Sequence, residues 1–248
     1  MQKHYKDQAI VLHSIRWKES SKIITLFTRD KGILKVIARS VYRPNNPMGG
    51  RLESMNLLEI VVVQKQSRSL QILQEAELID SFYDLRRDLS RLPYALAVLE
   101  LIQQTLEEQN SDEIFFDFTV YLLKTFISVS QPEIILVYFL LKLSSFLGFK
   151  PAFNTCQSCG TKNLKDTVYF SIENGTVLCP DCSGGLEYLS PLREDQLYFL
   201  QQLQTFHHKR LTEFPLSPPT GLNAVQLLIR YLSFHLEHTI HLNALSLL

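Results

Sequence analysis

Several things this chain lacks narrow the possibilities before any motif is read. It has no net charge, 25 Lys and Arg standing against 25 Asp and Glu in 248 residues. With 9 Gly and 10 Pro it is no collagen and carries no low-complexity tract. Its four cysteines all fall within residues 156–182, so no disulfide framework holds the rest of the chain. Residues 1–8 are polar and charged, without an apolar core of signal-peptide length, which leaves the cytoplasm as the expected compartment. The longest apolar stretch, residues 134–149, is interrupted by Lys142, Ser144 and Ser145 and falls short of the ~20 residues of a bilayer span. It reads as a buried helix, and no membrane contact is expected. Catalytic signatures are missing as well. There is no Gly-x4-Gly-Lys-Ser/Thr loop, no dinucleotide fingerprint and no Gly-x-Ser-x-Gly elbow, so ATP hydrolysis, hydride transfer and serine hydrolysis have no machinery. The expectation is a protein that is not an enzyme and takes no small-molecule substrate.

What is present is an ordinary globular composition, 46% hydrophobic and 20% charged, at a length that allows one or two domains with a real core. The zero net charge is a sum of opposites. Residues 1–52 carry eleven basic and three acidic side chains, a net of +8, and the remaining residues carry −8. Such a split predicts a basic module that meets an anionic partner, joined to an acidic body that does not.

Short β-branched and apolar runs at residues 9–15, 23–28, 33–38, 57–63 and 70–78 predict five strands. Arg29-Asp30-Lys31-Gly32 is a hairpin turn with glycine where a positive φ is wanted. A polar loop at residues 44–50 separates the third strand from the fourth. Five short strands in about seventy residues fit a small barrel, with the five-stranded OB-fold leading and an SH3-like barrel matching the same pattern. From Tyr83 the period becomes helical. Asn110 with Glu113, and Ser130 with Glu133, have capping-box spacing, and Pro132 falls in the first turn of its helix. Gly148 and Pro151 stop that helix, Ser190-Pro191 begins another, and Leu222, Val225, Ile229, Leu232 and Leu236 form the apolar stripe of a last one. The fold class is therefore α+β: an OB-fold nucleic-acid-binding domain over residues 1–80, then a helical domain over 81–248 with a cysteine-bearing insertion at 151–189.

Cys156 and Cys159 form one Cys-x2-Cys pair and Cys179 and Cys182 another, with nineteen residues between them. Two residues between ligands let the backbone curl so that both thiolates face one ion, and Gly160 permits the tight knuckle. A hairpin over residues 167–178, turning at Glu173-Asn174-Gly175, brings the second knuckle back to the first. Four thiolates give the closed tetrahedral coordination of one structural Zn2+, with no position left for a catalytic water. Four unrelated thiols, or an iron–sulfur cluster, are the competing readings. No His-x-Glu segment of a zinc deaminase accompanies the cysteines. His235, His238 and His241 recur every third residue, which reads as a polar helix face ahead of a second metal site.

The basic segment interleaves cations with aromatic rings, as single-strand binding by an OB-fold requires. The DNA-binding candidates are Arg16, Trp17, Lys18, Lys22, Lys35, Arg39, Tyr42, Arg43 and Arg51. Lys35 and Arg39 share one strand face with Ile33 and Ile37 by the period of two. Scattered solvating charge is the competing reading, and Trp17 divides evenly between stacking platform and core. Phe27, Tyr138, Phe139 and Phe146 are expected in the core.

Taken together, these residues resemble the RecO family of bacterial recombinational-repair mediators. The resemblance rests on Ser20-Ser21-Lys22-Ile23-Ile24-Thr25-Leu26-Phe27-Thr28 with Lys31-Gly32, on Ala38-Arg39-Ser40, and on Gly148-Phe149-Lys150-Pro151 leading into Cys156-x2-Cys159-Gly160. Asn174-Gly175, Cys179-x2-Cys182 and the final helix from His235 to Leu247 continue it. The chain departs from the family in having Ile37-Ala38-Arg39-Ser40 where a Gly-Ala-Arg-Arg-like run is common, and its helices match in pattern only. The resemblance implies an OB-fold that binds single- and double-stranded DNA and anneals complementary strands. It implies work with RecR, contact with the acidic C-terminal tail of single-stranded-DNA-binding protein, and help in loading RecA onto DNA coated by that protein, at the nucleoid. It also implies zinc on the four cysteines and a basic role for Arg39. An RNA- or transcription-associated scaffold, in which the zinc insertion makes the main contact, is the alternative.

Overall fold

The structure, a computed structural model, describes residues 3–43, 46, 48–64, 70–108, 111–185, 187–215 and 218–248, with backbone alone at 218–220. Asn110 and part of the 44–50 loop lie outside the described residues. By the density of its internal contacts the chain divides into two compact units, residues 1–124 with 246–248, and residues 125–245.

The five sequence runs become β1 (Lys3–Trp17), β2 (Ser21–Thr28), β3 (Gly32–Ala38), β4 (Leu57–Gln64) and β5 (Gln71–Asp80), closed into a barrel in the order β1-β2-β3-β5-β4. Closure depends on β1 serving two partners. Its first half runs antiparallel to β4, with Lys3 opposite Gln64, and its second half pairs with β2, with Trp17 opposite Ser21. The two pairings overlap at Ala9 and Ile10, and a register shift between Val11 and His13 bends the strand just beyond them. β3 and β5 run parallel, with Ala38 opposite Leu73. This strand order is that of the OB-fold, and it sets aside the SH3-like alternative. Inside, Val11, Ile24, Leu26, Val36, Ile60 and Val62 are buried completely. The period of two shows in β4, where Leu58, Ile60 and Val62 turn inward and Glu59 turns out.

The β2–β3 hairpin turns as its sequence predicts, with Gly32 at φ 65 and the Thr28 hydroxyl accepting the Lys31 N–H at 3.1 Å. The adjacent Asp7 carboxylate is buried and accepts N–H groups of Gln8 at 2.8 Å and Asp30 at 3.2 Å. Burial and the neighbouring Asp30 charge outweigh those bonds and push the Asp7 carboxyl up to about 6.

Outside the barrel lie α1 (Tyr83–Arg87), α2 (Leu92–Thr105) and α3 (Glu113–Thr125). Phe27 is core, as expected, but its partners are the α3 residues Phe116, at 5.2 Å between ring centres, and Phe115, at 6.4 Å. The cap observed at the start of α3 is Asp112, whose carboxylate accepts the Phe115 N–H at 2.8 Å. Arg29 then grips α3 from the hairpin turn, bonding both carboxylate oxygens of Asp117 at 2.9 and 3.0 Å and reaching Glu113 at 2.8 Å.

In the second unit, α4 (Pro132–Phe146) is buried on nearly all sides, as the long apolar stretch predicts for a central helix. Pro132 occupies its first turn, but Ser130 is not its cap. Gln131 takes that position without a side-chain bond, Glu133 is buried, and proline fits the first turn because its missing N–H has no partner there anyway. A four-stranded sheet of β6 (Ala152–Cys156), β7 (Val168–Ser171), β8 (Thr176–Leu178) and β9 (Leu189–Leu192) has the order β6-β8-β7-β9. Ser190-Pro191 therefore does not begin a helix. It sits in edge strand β9, where proline withdraws no needed hydrogen bond, and α5 (Glu194–Thr205) starts three residues later. α6 (Pro218–His235) buries Ala224, Val225, Leu227, Leu228, Tyr231 and Leu232, while Leu222 is exposed. The buried face is wider than the single stripe read from the sequence. No helix among the described residues is long and apolar enough to cross a membrane.

Two outcomes are expected. Phe116→Ala removes a fully buried ring from the barrel–α3 contact and should lower unfolding free energy by about 3–5 kcal/mol in chemical denaturation; a loss below about 1 kcal/mol would contradict this packing. Asp7 binds its proton more tightly folded than unfolded, so its contribution is present below its ordinary carboxylate range and is lost as pH rises. The stability of the native protein relative to Asp7→Asn should therefore fall between about pH 4 and pH 6, and a flat difference would contradict the burial of this charge.

Candidate nucleic-acid interface and cysteine cluster

Strand order places the end of β1, the start of β2 and the end of β3 at one end of the barrel. The β1–β2 turn needs a left-handed residue, and Lys18 supplies it at φ 53; Ser40 does the same after β3 at φ 58. The loop after β3 folds back on the β1–β2 turn, the Tyr42 N–H donating to Ser20 O at 3.2 Å. These two loops collect Arg16, Trp17, Lys18, Lys22, Arg39, Tyr42 and Arg43. The Arg16 guanidinium lies 5.1 Å from the centre of the Tyr42 ring and the Lys22 ammonium 5.6 Å from it. Trp17 and Tyr42 are 44% and 45% exposed, so each keeps a face for solvent and neither is core. Arg16, Lys18, Arg39 and Arg43 are exposed.

Lys35 and Arg51 are engaged elsewhere, and Lys22, although beside Tyr42, has an acidic partner as well. Lys35 is exposed on β3, whereas Arg39 lies past the end of that strand, and Lys35 pairs with Glu108 at 2.9 Å, next to the isolated bridges that Glu108 makes with Gly32 and Ile33. Arg51 donates to Ala76 O at 2.8 Å, tying the loop before β4 to β5. Lys22 is itself buried and bonds Glu53 at 2.8 Å. The acidic partners come from residues 53–124, which carry six basic and thirteen acidic side chains. The excess of negative charge is thus concentrated in the same compact unit as the basic segment. Residues 125–245 hold eight basic and nine acidic side chains and are close to neutral. The split between basic module and acidic body runs through the first unit.

The cysteine cluster forms within the second unit. β7 and β8 make the predicted hairpin, turning at Gly175 with φ 65. Glycine is required there twice over, because a Cβ would also run into the Tyr231 hydroxyl. Each knuckle closes on its own backbone: the Gly160 N–H donates to Cys156 O at 2.9 Å and the Cys182 N–H to Cys179 O at 3.0 Å. The four sulfurs of Cys156, Cys159, Cys179 and Cys182 lie within 4.8 Å of one another, with Cys159 Sγ 3.8 Å from Cys179 Sγ. A tetrahedron of thiolates at about 2.3 Å from zinc has edges of about 3.8 Å, so the donor set fits that ion in number, chemistry and spacing. Burial pushes the Cys156 thiol up, but N–H groups of Cys159, Cys179 and Ser158 outweigh it and bring it down to about 6. Cys182, beside Cys179, is pushed up to about 12. Burial pushes the Cys179 thiol up as well, so the Cys156 thiolate forms readily while Cys179 and Cys182 resist beside it. The histidines do not make a second centre. α6 ends at His235, whose Nε2 meets Ile172 O at 3.1 Å and whose ring stacks on Phe149 at 4.9 Å, so His238 and His241 are not on its helix.

Both halves of the chain match known sequence families. Residues 1–82 match Recombination protein O N terminal, and residues 86–244 match Recombination protein O C terminal. A protein of Desulforamulus reducens called DNA repair protein RecO is 28% identical over 235 residues, covering 95% of this chain and 91% of the relative. Its namesake in Bacillus subtilis is 29% identical over 226 residues, covering 91% and 87%. That of Symbiobacterium thermophilum is 32% identical over 186 residues, covering 72% and 71%. Matched along nearly its whole length, in the order barrel, helices, cysteine module and helix, the chain belongs to the recombination protein O family of DNA repair proteins.

Proposed function

We propose that the chain is a DNA-binding mediator of recombinational repair without catalytic chemistry of its own. It binds single- and double-stranded DNA through the barrel of residues 1–80 and anneals complementary strands. With RecR, it assists RecA loading onto DNA coated by single-stranded-DNA-binding protein, whose C-terminal tail it contacts through the helical domain of residues 81–248. The observation that carries this reading is the meeting of Arg16, Trp17, Lys18, Arg39, Tyr42 and Arg43 at one end of an OB barrel. OB-folds engage oligonucleotides through the loop between their first two strands and the face of their second and third. Exposed cations there follow phosphates and exposed rings stack on bases, each stack contributing about 1–3 kcal/mol. Nothing in the arrangement reads base edges, so binding is independent of sequence. Lys35 and Arg51, held by Glu108 and Ala76 O, contribute less than the residues of the two loops.

In the same reading, Cys156, Cys159, Cys179 and Cys182 hold one structural Zn2+. The ion offsets the mutual repulsion of the thiolates and locks two knuckles that otherwise share only short strands. With every ligand position taken by protein, it supplies stability to the module at 151–189 and no reactive water.

Salt titration of oligonucleotide affinity should give a log–log slope near −3 to −5 if about five phosphates are contacted, at ~0.7 per phosphate on single strands and ~0.9 on duplex. Arg39→Glu with Arg43→Glu should weaken binding and annealing by roughly tenfold or more, while Lys35→Glu alone should change affinity much less. Affinity indifferent to salt, or a wild-type protein that neither anneals complementary strands nor binds RecR, would overturn the reading. For the metal, Cys159→Ser should lower zinc content and melting temperature together; purified wild-type protein without stoichiometric zinc by elemental analysis would refute the assignment.

A further inference from the structure

Lys22 differs from its cationic neighbours at the barrel end in being withdrawn from solvent. It lies at the start of β2 with 8% of its side chain exposed, whereas Arg16, Lys18, Arg39 and Arg43 are exposed. The pairing of β1 with β2 sets it directly opposite Arg16. Like charges so placed repel. Both nevertheless approach one ring, the Arg16 guanidinium 5.1 Å and the Lys22 ammonium 5.6 Å from the centre of Tyr42. Glu53 makes this arrangement tenable, its carboxylate accepting from the Lys22 ammonium at 2.8 Å. Without that partner a buried ammonium would be strongly disfavoured.

Glu53 is itself fixed by the loop that carries it. Leu52 and Met55, on either side, are buried completely. The Met55 N–H donates to Val11 O at 2.7 Å, the Val11 N–H to Asn56 O at 3.0 Å and the Ser54 hydroxyl to Leu12 O at 2.9 Å, which binds the loop to β1. Arg86 of α1 adds bonds to Ser54 O and, at 2.8 Å, to Asn56 Oδ1. On the other side of the ring, the Arg16 guanidinium donates to Glu19 O at 3.1 Å and the Tyr42 N–H to Ser20 O at 3.2 Å. The surroundings of the Tyr42 ring are thus set in the free protein, while the residue stays 45% exposed.

We propose that Lys22 and Glu53 are positioning residues for single-stranded nucleic acid: Glu53 fixes the Lys22 ammonium, and Lys22 with Arg16 fixes the Tyr42 ring as a platform on which a base stacks. This deepens the reading of the barrel end as a DNA-binding surface and rests on it. A cation within about 6 Å of a ring centre is attracted to the ring, and a ring already held loses less freedom when a base arrives. Lys22 acts through Tyr42 and takes no phosphate, because its side chain is buried and the exposed carboxylate of Glu53 beside it repels one. A carboxylate at a surface for a polyanion therefore assists binding.

The test uses the full chain and a fluorescent oligothymidylate. Lys22→Met with Glu53→Gln removes one charge of each sign, so net charge is unchanged, and nearly keeps the size of both side chains. Affinity should fall roughly fivefold or more, the loss of one stack, with the log–log salt slope unaltered. In a chain already carrying Tyr42→Ala the same pair should lower affinity little further, since changes that act on one group are not additive. A slope shallower by ~0.7 would make Lys22 a phosphate contact and overturn the inference. A loss that adds in full to that of Tyr42→Ala would overturn it as well. Glu53→Gln alone, at an exposed side chain, keeps the test open if the pair folds poorly. It should weaken binding although it removes an anion, and tighter or unchanged binding would overturn the inference. Full affinity in the charge-neutral pair, while Arg39→Glu with Arg43→Glu binds weakly, would overturn this inference alone. A wild-type protein that does not bind the oligonucleotide would overturn the DNA-binding reading with it.

Discussion

The architecture of the first unit depends on one strand doing two jobs. β1 must pair with β4 through its first half and with β2 through its second, and it holds both partners at Ala9 and Ile10, just before the register shift between Val11 and His13. Only with that division does a five-stranded sheet this short close on itself. Closure then fixes where the loops go. The β1–β2 turn and the loop leaving β3 emerge side by side, and the Tyr42 N–H bond to Ser20 O joins them. The meeting of Arg16, Lys22 and Tyr42 follows from strand order and does not need the barrel's surface to be basic throughout.

Charge on this unit is sorted by consequence. Arg29 is held by Asp117 and Glu113, Lys35 by Glu108 and Lys22 by Glu53. An exposed pair such as Lys35 with Glu108 contributes little to stability, ~0–1 kcal/mol, so its larger effect is to set which cations remain available. Those left at the barrel end are exposed and lie beside exposed rings. The net charge of zero therefore holds nearly within each unit, seventeen basic side chains against sixteen acidic in residues 1–124 and eight against nine in residues 125–245.

Much of this was legible in the sequence, and the reasons differ by element. The strands were visible because burial on one face forces alternation, as in Leu58, Ile60 and Val62. The cysteine module was visible because ligand spacing and a glycine turn are local chemistry. Boundaries that depend on tertiary surroundings were less so. Ser190-Pro191 has the composition of a helix start and becomes an edge strand, because β7 offers it a partner. Ser130 loses its capping role to Pro132 and Gln131, and His238 falls beyond the end of α6. The pairing of Lys35 with Glu108 joins residues too distant in sequence for any local pattern to signal. The period of two put Lys35 on the outward side of β3 and said nothing of its partner, while Arg39 lies beyond the strand's end.

The account stands on the proposal that DNA lies against the joined loops at the end of the barrel. Hydrogen–deuterium exchange of the full chain, with and without saturating single-stranded DNA, measures this directly. Slowed exchange across residues 16–22 and 38–43 is the predicted result; unchanged exchange in both segments under saturation would contradict it.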